Sequence, residues 1–76
     1  MKKEIDLHGL AHEDAFMIVE DELLRLSYMG SFEMNIITGN SKPMKMGVIE
    51  ICHRHGFPYT TLPNNTGRIV VTYVSL

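Results

Sequence analysis

An aspartate and a histidine two residues apart, Asp6 and His8, are the pair in this sequence best suited to chemistry. An imidazole can accept or donate a proton near neutral pH, and a nearby carboxylate can fix its tautomer and raise its pKa. The spacing places both side chains on one side of a strand that continues to His8. In the structural alternative, Asp6 accepts a hydrogen bond from the next turn's backbone while His8 packs under the following helix. The pair is therefore a catalytic candidate whose role the sequence leaves open.

A second polar group follows the next predicted strand and leads into a helix. Helix N-termini carry unpaired N–H groups and the positive end of the helix dipole, and both favour an anion such as phosphate. Glycines in the two turns would let the backbone approach a phosphate closely. The alternative is ordinary local capping of the helix. The candidate phosphate-binding residues in the two turns are Gly9, Thr38, Gly39, Asn40 and Ser41.

The net charge of −2 is unevenly distributed along the chain. Acidic residues dominate the first 33 positions, whereas from Gly39 to Arg68 four basic residues face Glu50 alone. His53 and His55 add part-time positive charge to the second half. The net acidity argues against a strong non-specific grip on nucleic acid, and the basic half is either a solvated helix face or a footprint for phosphates. The basic candidates for that footprint are Lys42, Lys45 and Arg68.

Hydrophobic periodicity predicts six elements in the order β-α-β-α-β-β. In helix one the residues at helical spacing are Ala15, Ile18, Val19, Glu22, Leu23 and Leu26, all apolar except Glu22. The predicted buried stripe of helix two is Met44, Val48, Ile51, Cys52 and His55. The six methionines fit a core adapted around a small sheet. The predicted strands are 3–7, 34–38, 57–62 and 68–74, and the predicted helices are about 11–28 and about 41–55.

The predicted fold is a single α/β domain over residues 1–76, an α+β two-layer sandwich with a mixed four-stranded sheet and two helices on one face. A β-α-β crossover should be right-handed, so the first two strands run parallel and end at the same sheet edge if they share the sheet. Ligands of open α/β sheets bind outside the carboxyl ends of the strands. Pro58 predicts that the third strand lies at a sheet edge or begins after the proline.

Composition excludes several classes of protein. No apolar run reaches the roughly 20 residues of a membrane span, and cytoplasmic residence is the default expectation. A lone Cys52 excludes an internal disulfide and is predicted to be a small buried hydrophobe. No histidine and cysteine set completes a tetrahedral zinc site, so no resident metal is predicted. A divalent ion, Mg²⁺ or Mn²⁺, held transiently by Asp6 and a substrate phosphate stays open.

Three segments resemble the motifs of Smr (small MutS-related) domains, in the family's order and over nearly the whole chain. Residues 5–10, Ile-Asp-Leu-His-Gly-Leu, followed by Asp14-Ala15, resemble the opening D-L-H-G-L-x-x-x-E-A, with Asp in place of Glu. Residues 36–39, Ile-Ile-Thr-Gly, resemble the start of T-G-x-G, whose second glycine is replaced by Ser41. Residues 65–71, Asn-Thr-Gly-Arg-Ile-Val-Val, resemble a closing N-x-G before an apolar strand.

The resemblance implies a fold similar to the C-terminal domain of bacterial translation initiation factor three, and association with DNA or RNA. Several members of the family are endonucleases. Carried onto this chain, Asp6 and His8 become candidate catalytic or substrate-positioning residues, and Gly39 with the following turn becomes the phosphate cradle. Lys42 and Lys45 occupy the place of a basic residue early in helix two. With Ser41 in place of the second glycine, the backbone should approach a phosphate less closely, and the serine hydroxyl could donate a hydrogen bond instead.

Three functions follow as hypotheses. The first is a structure-selective endonuclease that nicks DNA by hydrolysis, or RNA by transesterification through a 2′-hydroxyl. The second is a non-catalytic nucleic-acid-binding module that uses the same sheet end. The third is a protein-interaction or oligomerisation unit that uses exposed strand edges or methionines. Targeting to a particular nucleic-acid structure would need a partner or self-association.

Overall fold

The chain folds into six elements in the predicted order. The computed structural model describes residues 1–76. The strands are β1 (Lys2–Asp6), β2 (Phe32–Ile37), β3 (Tyr59–Leu62) and β4 (Asn65–Tyr73), and the helices are α1 (His12–Met29) and α2 (Lys42–His55). All six predicted elements are present, with their ends shifted by a few residues.

The strands form one mixed sheet in the order β1-β2-β4-β3. β1 pairs in parallel with β2, which confirms the predicted parallel arrangement of the first two strands. β4 lies between β2 and β3 and is antiparallel to both. β3 is thus an edge strand that begins just after Pro58, as predicted.

One face of the sheet carries the core. In β2 the buried side chains of Phe32, Met34 and Ile36 alternate with half-buried neighbours, so only one face is fully covered. Both helices pack on that face, and their buried residues join those of the strands in a single cluster. The predicted two-layer α+β arrangement is therefore confirmed.

Two predicted core residues lie outside the core. Ile18 is 42% exposed, because the buried stripe of α1 is narrower than its apolar pattern. His55 is exposed; its ring hydrogen-bonds to Glu20 of α1 and lies against the edge of the core at Phe57. Glu22 sits half-buried at the border of the α1 stripe and pairs with Lys3.

The methionines are mostly on the surface, contrary to the expectation that they fill the core. Met34 and Met44 are buried, whereas four others are exposed. Leucine, valine and isoleucine fill most of the core that these methionines were expected to complete. The exposed methionines are Met1, Met17, Met29 and Met46.

Cys52 is fully buried, as predicted. Burial raises the pKa of its thiol to about 11, so the reactive thiolate is suppressed near neutral pH. Neither helix has the length and apolar character needed to cross a bilayer.

Candidate functional site

The turns that follow β1 and β2 lie side by side at one end of the sheet. The N–H of Leu7 donates to the carbonyl of Ile37 at 2.9 Å, which extends the parallel pairing one residue beyond β1. The Leu7 side chain is fully buried and anchors the first turn in the core. His8 and Gly9 therefore emerge beside Thr38 and Gly39, at the sheet end where the sequence predicted a site.

Asp6 holds the turn that presents His8. Its carboxylate accepts a hydrogen bond from the backbone N–H of His8, with 2.9 Å between nitrogen and Oδ1. β1 ends at Asp6, and no hydrogen bond joins the carboxylate to the imidazole. His8 is exposed and is not packed under α1. The structural alternative thus describes Asp6 but not His8, whose ring has no hydrogen-bond partner in the chain.

Helix α1 begins with free backbone donors. Its N-cap residue, Ala11, has no side chain that can accept a hydrogen bond. The first three N–H groups of the helix have no acceptor in the chain, and Gly9, with φ of 81°, bends the backbone into this start. Glu13 and Asp14 in the first turn complement the positive end of the dipole.

Helix α2 begins with a side-chain cap, as predicted. The hydroxyl of Ser41 accepts a hydrogen bond from the N–H of Met44 at 3.3 Å, and Pro43 needs no acceptor. The N–H groups of Asn40, Ser41 and Lys42 have no acceptor in the chain. The serine that replaces the second motif glycine therefore works as a cap, and three consecutive donors remain beside it.

The carbonyl of Gly67 in β4 closes the turn after β2. It accepts hydrogen bonds from the N–H groups of Thr38 and Gly39, at 2.8 and 3.2 Å. These two N–H groups were predicted to belong to a phosphate cradle, but the folded chain already engages them. The donors left free in this turn start at Asn40.

The cations of the chain fall into two groups. Four of the seven Lys and Arg residues form ion pairs with carboxylates, namely Lys3, Arg25, Arg54 and Arg68. Lys42 and Lys45, at the start of α2, have no such partner, and neither has Lys2. The unpaired cations therefore concentrate next to the free N–H donors of the second turn.

Arg68 does not join Lys42 and Lys45, although the sequence grouped the three. Its guanidinium donates to Glu4 at 3.0 Å and to Asn35 at 3.1 Å. Asn35 alternates with buried neighbours in β2, so this contact lies on the sheet face that the helices leave open. Arg68 thus holds β1, β2 and β4 together on that face.

Concave surface occurs between the helices and not at the strand ends. Phe16 of α1 covers Gly47 of α2, and a Cβ at Gly47 would overlap the Phe16 ring. Exposed Met17 and Met46 line shallow grooves beside this contact. The strand-end site is an open surface, which suits a polymer better than an enclosed small molecule.

No group of three or more His, Cys, Asp or Glu side chains is arranged to hold a metal ion. A divalent ion at the strand ends would need Asp6 and oxygens of a bound phosphate as its ligands. No family model, curated protein or solved structure matches this chain.

Proposed function

We propose that this chain binds the phosphates of DNA or RNA at the ends of β1 and β2. One observation carries the proposal: Lys42 and Lys45 stand unpaired at the N-terminus of α2. A cation there opposes the helix dipole, at a cost of about 0.3–1 kcal/mol each. A bound phosphate would remove that penalty, because it accepts hydrogen bonds from the free N–H groups and forms ion pairs with the lysine ammonium groups.

The surroundings of the lysines support the proposal. The three segments that resemble Smr motifs meet here, through Leu7 bonded to Ile37 and through Gly67 bonded to Thr38 and Gly39. The surface is open, and a second helix N-terminus with free donors borders it. Because few cations are unpaired, the chain should contact few phosphates, and its affinity for nucleic acid should be moderate.

We further propose that His8 serves as a proton acceptor in phosphodiester cleavage. On RNA, its free ring nitrogen would take the proton of a 2′-hydroxyl as that oxygen attacks phosphorus. The bond from phosphorus to the 5′-oxygen breaks, leaving a 2′,3′-cyclic phosphate. The 5′-oxygen takes a proton from water, and the resulting hydroxide takes back the proton that His8 accepted. Lys42, Lys45 and the free N–H groups would stabilise the charge on the phosphoryl oxygens. On DNA, an activated water, metal-assisted or not, would replace the 2′-hydroxyl.

Binding without cleavage is the competing function, and one observation favours it. The Asp6 carboxylate is directed to a backbone N–H, so no group of this chain orients the His8 imidazole. A histidine without an orienting partner is a poorer base than one held by a carboxylate. Cleavage therefore has to be tested separately from binding.

The test is a cleavage and binding assay on labelled single-stranded RNA, duplex DNA and branched DNA, with magnesium, manganese or EDTA. We expect His8→Ala to lose about 10²–10⁴-fold in cleavage while binding is retained. His12→Ala is the matched control, because His12 lies in the first turn of α1 with its ring against Phe16. Asp6→Asn keeps an oxygen for the His8 N–H and should change cleavage little, unless the carboxylate charge is used.

The outcomes separate the two functions. If His8→Ala abolishes cleavage and His12→Ala preserves it, the result supports the proposed nuclease activity. If the wild type binds nucleic acid but does not cleave it, the nuclease proposal is wrong and the non-catalytic binding module remains. A wild type that binds none of the three nucleic acids overturns the whole proposal.

We propose contact with a protein, or with a second copy of the chain, as an independent candidate function. Met17 and Met46 are 61% and 57% exposed beside the interhelical grooves, where apolar area is available for a partner. Light scattering tests self-association: we expect a dimer that Met17→Ser with Met46→Ser dissociates. A monodisperse monomer over a wide concentration range would contradict self-association.

A further inference from the structure

We infer that Gly67 is a positioning residue of the phosphate site, because it decides which N–H groups of the turn after β2 are left for a phosphate. The inference rests on the proposed binding of nucleic acid at this end of the sheet. Gly67 lies in β4, and we assign it no direct contact with the phosphate.

The Gly67 carbonyl continues the ladder between β2 and β4. Ile37 pairs with Arg68 in this antiparallel ladder, so Thr38 faces Gly67 at the next position. On the other side of β4, residues 66–68 have no partner in β3. The Gly67 carbonyl accepts two hydrogen bonds from the turn after β2, one from each of its first two N–H groups.

Limited space, and not backbone conformation, favours glycine at this position. Gly67 is absent from the glycines with positive φ, so an alanine could adopt its backbone angles. A Cβ added there would lie 3.3 Å from Cα of Gly39 and 3.4 Å from its carbonyl carbon and oxygen. These are backbone atoms, which cannot swing aside as a side chain can. A side chain at Gly67 would therefore push the turn away.

The contact divides the turn into two parts. Thr38 and Gly39 hold it against β4, since both of their N–H groups are bonded to Gly67. The chain then reverses at Gly39, with φ of 66°, and the next three N–H groups are free. We assign phosphate binding to the free group, Asn40, Ser41 and Lys42, and holding of the turn to the bonded pair.

The test follows backbone amide signals by NMR during addition of a short single-stranded RNA or a short duplex DNA. In the wild type, the amides of Asn40, Ser41 and Lys42 should shift, while those of Thr38 and Gly39 should exchange slowly with solvent. In Gly67→Ala, the Thr38 and Gly39 amides should exchange faster, and affinity should fall about three- to tenfold, because a few tenths of an ångström misplace the donors.

Gly47→Ala is the matched control. It also replaces a glycine in close contact, but with the Phe16 ring between the helices, so exchange at Thr38 and affinity should stay unchanged. Thermal unfolding of both variants shows whether a loss of affinity comes from unfolding of the protein or from displacement of the turn after β2.

The outcomes test the proposed nucleic-acid binding and the role of Gly67 separately. If no wild-type amide shifts with either nucleic acid, the proposed function fails and the inference fails with it. If the wild type binds and Gly67→Ala binds equally well with slow Thr38 and Gly39 exchange, only the role of Gly67 is wrong. If Gly67→Ala does not fold, shifts centred on Thr38 and Gly39 in the wild type would overturn the assignment, and shifts at Asn40 to Lys42 would support it.

Discussion

The two ends of helix α2 both carry basic residues, but in opposite circumstances. At the C-terminal end, His53, Arg54 and His55 complement the helix dipole, and each has a partner. Arg54 and His55 contact Glu20 of α1 at 2.9 and 2.6 Å, and the His53 ring lies 3.2 Å from the hydroxyl of Tyr59. At the N-terminal end, the two lysines oppose the dipole and no carboxylate pairs with them.

This contrast separates basic residues that the fold pairs with other side chains from the two lysines that we propose bind a phosphate. From the sequence alone, the histidines and Arg54 were grouped with the two lysines in the basic second half of the chain. The structure assigns the C-terminal group to the junction between the two helices, where its charges are already balanced. Only the N-terminal pair, Lys42 and Lys45, lacks a structural reason for its charge.

Reversing the charge at the N-terminal end should have the largest effect. Lys42→Glu with Lys45→Glu should weaken binding of nucleic acid about a hundredfold, roughly tenfold for each lysine. The same change should raise the free energy of unfolding by about 0.3–1 kcal/mol for each glutamate, because acids suit a helix N-terminus. Fluorescence anisotropy with a labelled oligonucleotide and urea unfolding measure the two quantities.

The matched control reverses a charge at the other end. Arg54→Glu places a carboxylate against Glu20, so it should lower stability and leave affinity nearly unchanged. If Arg54→Glu weakened binding as much as the lysine pair, the two ends would not differ in function.

A smaller effect is expected from Glu20, which balances the C-terminal end. Glu20→Gln should lower the free energy of unfolding by about 0.5–1 kcal/mol, since exposed pairs are screened by solvent, and should leave affinity unchanged. Urea unfolding at neutral pH measures the loss, with Glu50→Gln as the control because Glu50 is 3.8 Å from Arg54 and largely exposed.

The difference in the free energy of unfolding between the wild type and Glu20→Gln should depend on pH. The hydrogen bond from His55, aided by Arg54, lowers the pKa of Glu20 below its ordinary value of 4.5. A lowered pKa in the folded state means that the stabilisation is present above 4.5 and is lost as pH falls through the folded value. The wild type should therefore lose its advantage over Glu20→Gln as the medium is acidified below 4.5. A difference that stays constant would show that the charge of Glu20 does not matter.

Local pattern was enough to predict the elements, the parallel β1–β2 pair and the sheet end at which the two turns of the candidate site lie. Alternating and helical periodicities depend on neighbours in sequence, and so does the cap at Ser41. The handedness of a β-α-β crossover then places the turns after β1 and β2 together. These predictions needed no knowledge of distant contacts.

The missed features all depend on distant residues. His55 was expected in the core, because nothing near it in sequence reveals that Glu20 faces it from α1. The role of Arg68 depends on Glu4, at the other end of the chain. The approach of Gly67 to Gly39 requires β4 to lie beside β2, which periodicity does not show.

The most direct test of the central claim is the salt dependence of nucleic-acid binding for the wild type, Lys42→Ala, Lys45→Ala and Arg54→Ala. Each phosphate contact contributes about 0.7–0.9 to the slope of log affinity against log salt concentration. Each lysine variant should reduce the steepness of the slope by about that amount, and Arg54→Ala should keep the wild-type slope. Equal slopes for all four proteins, or a change only in Arg54→Ala, would contradict the assignment of phosphate binding to the N-terminal end of α2.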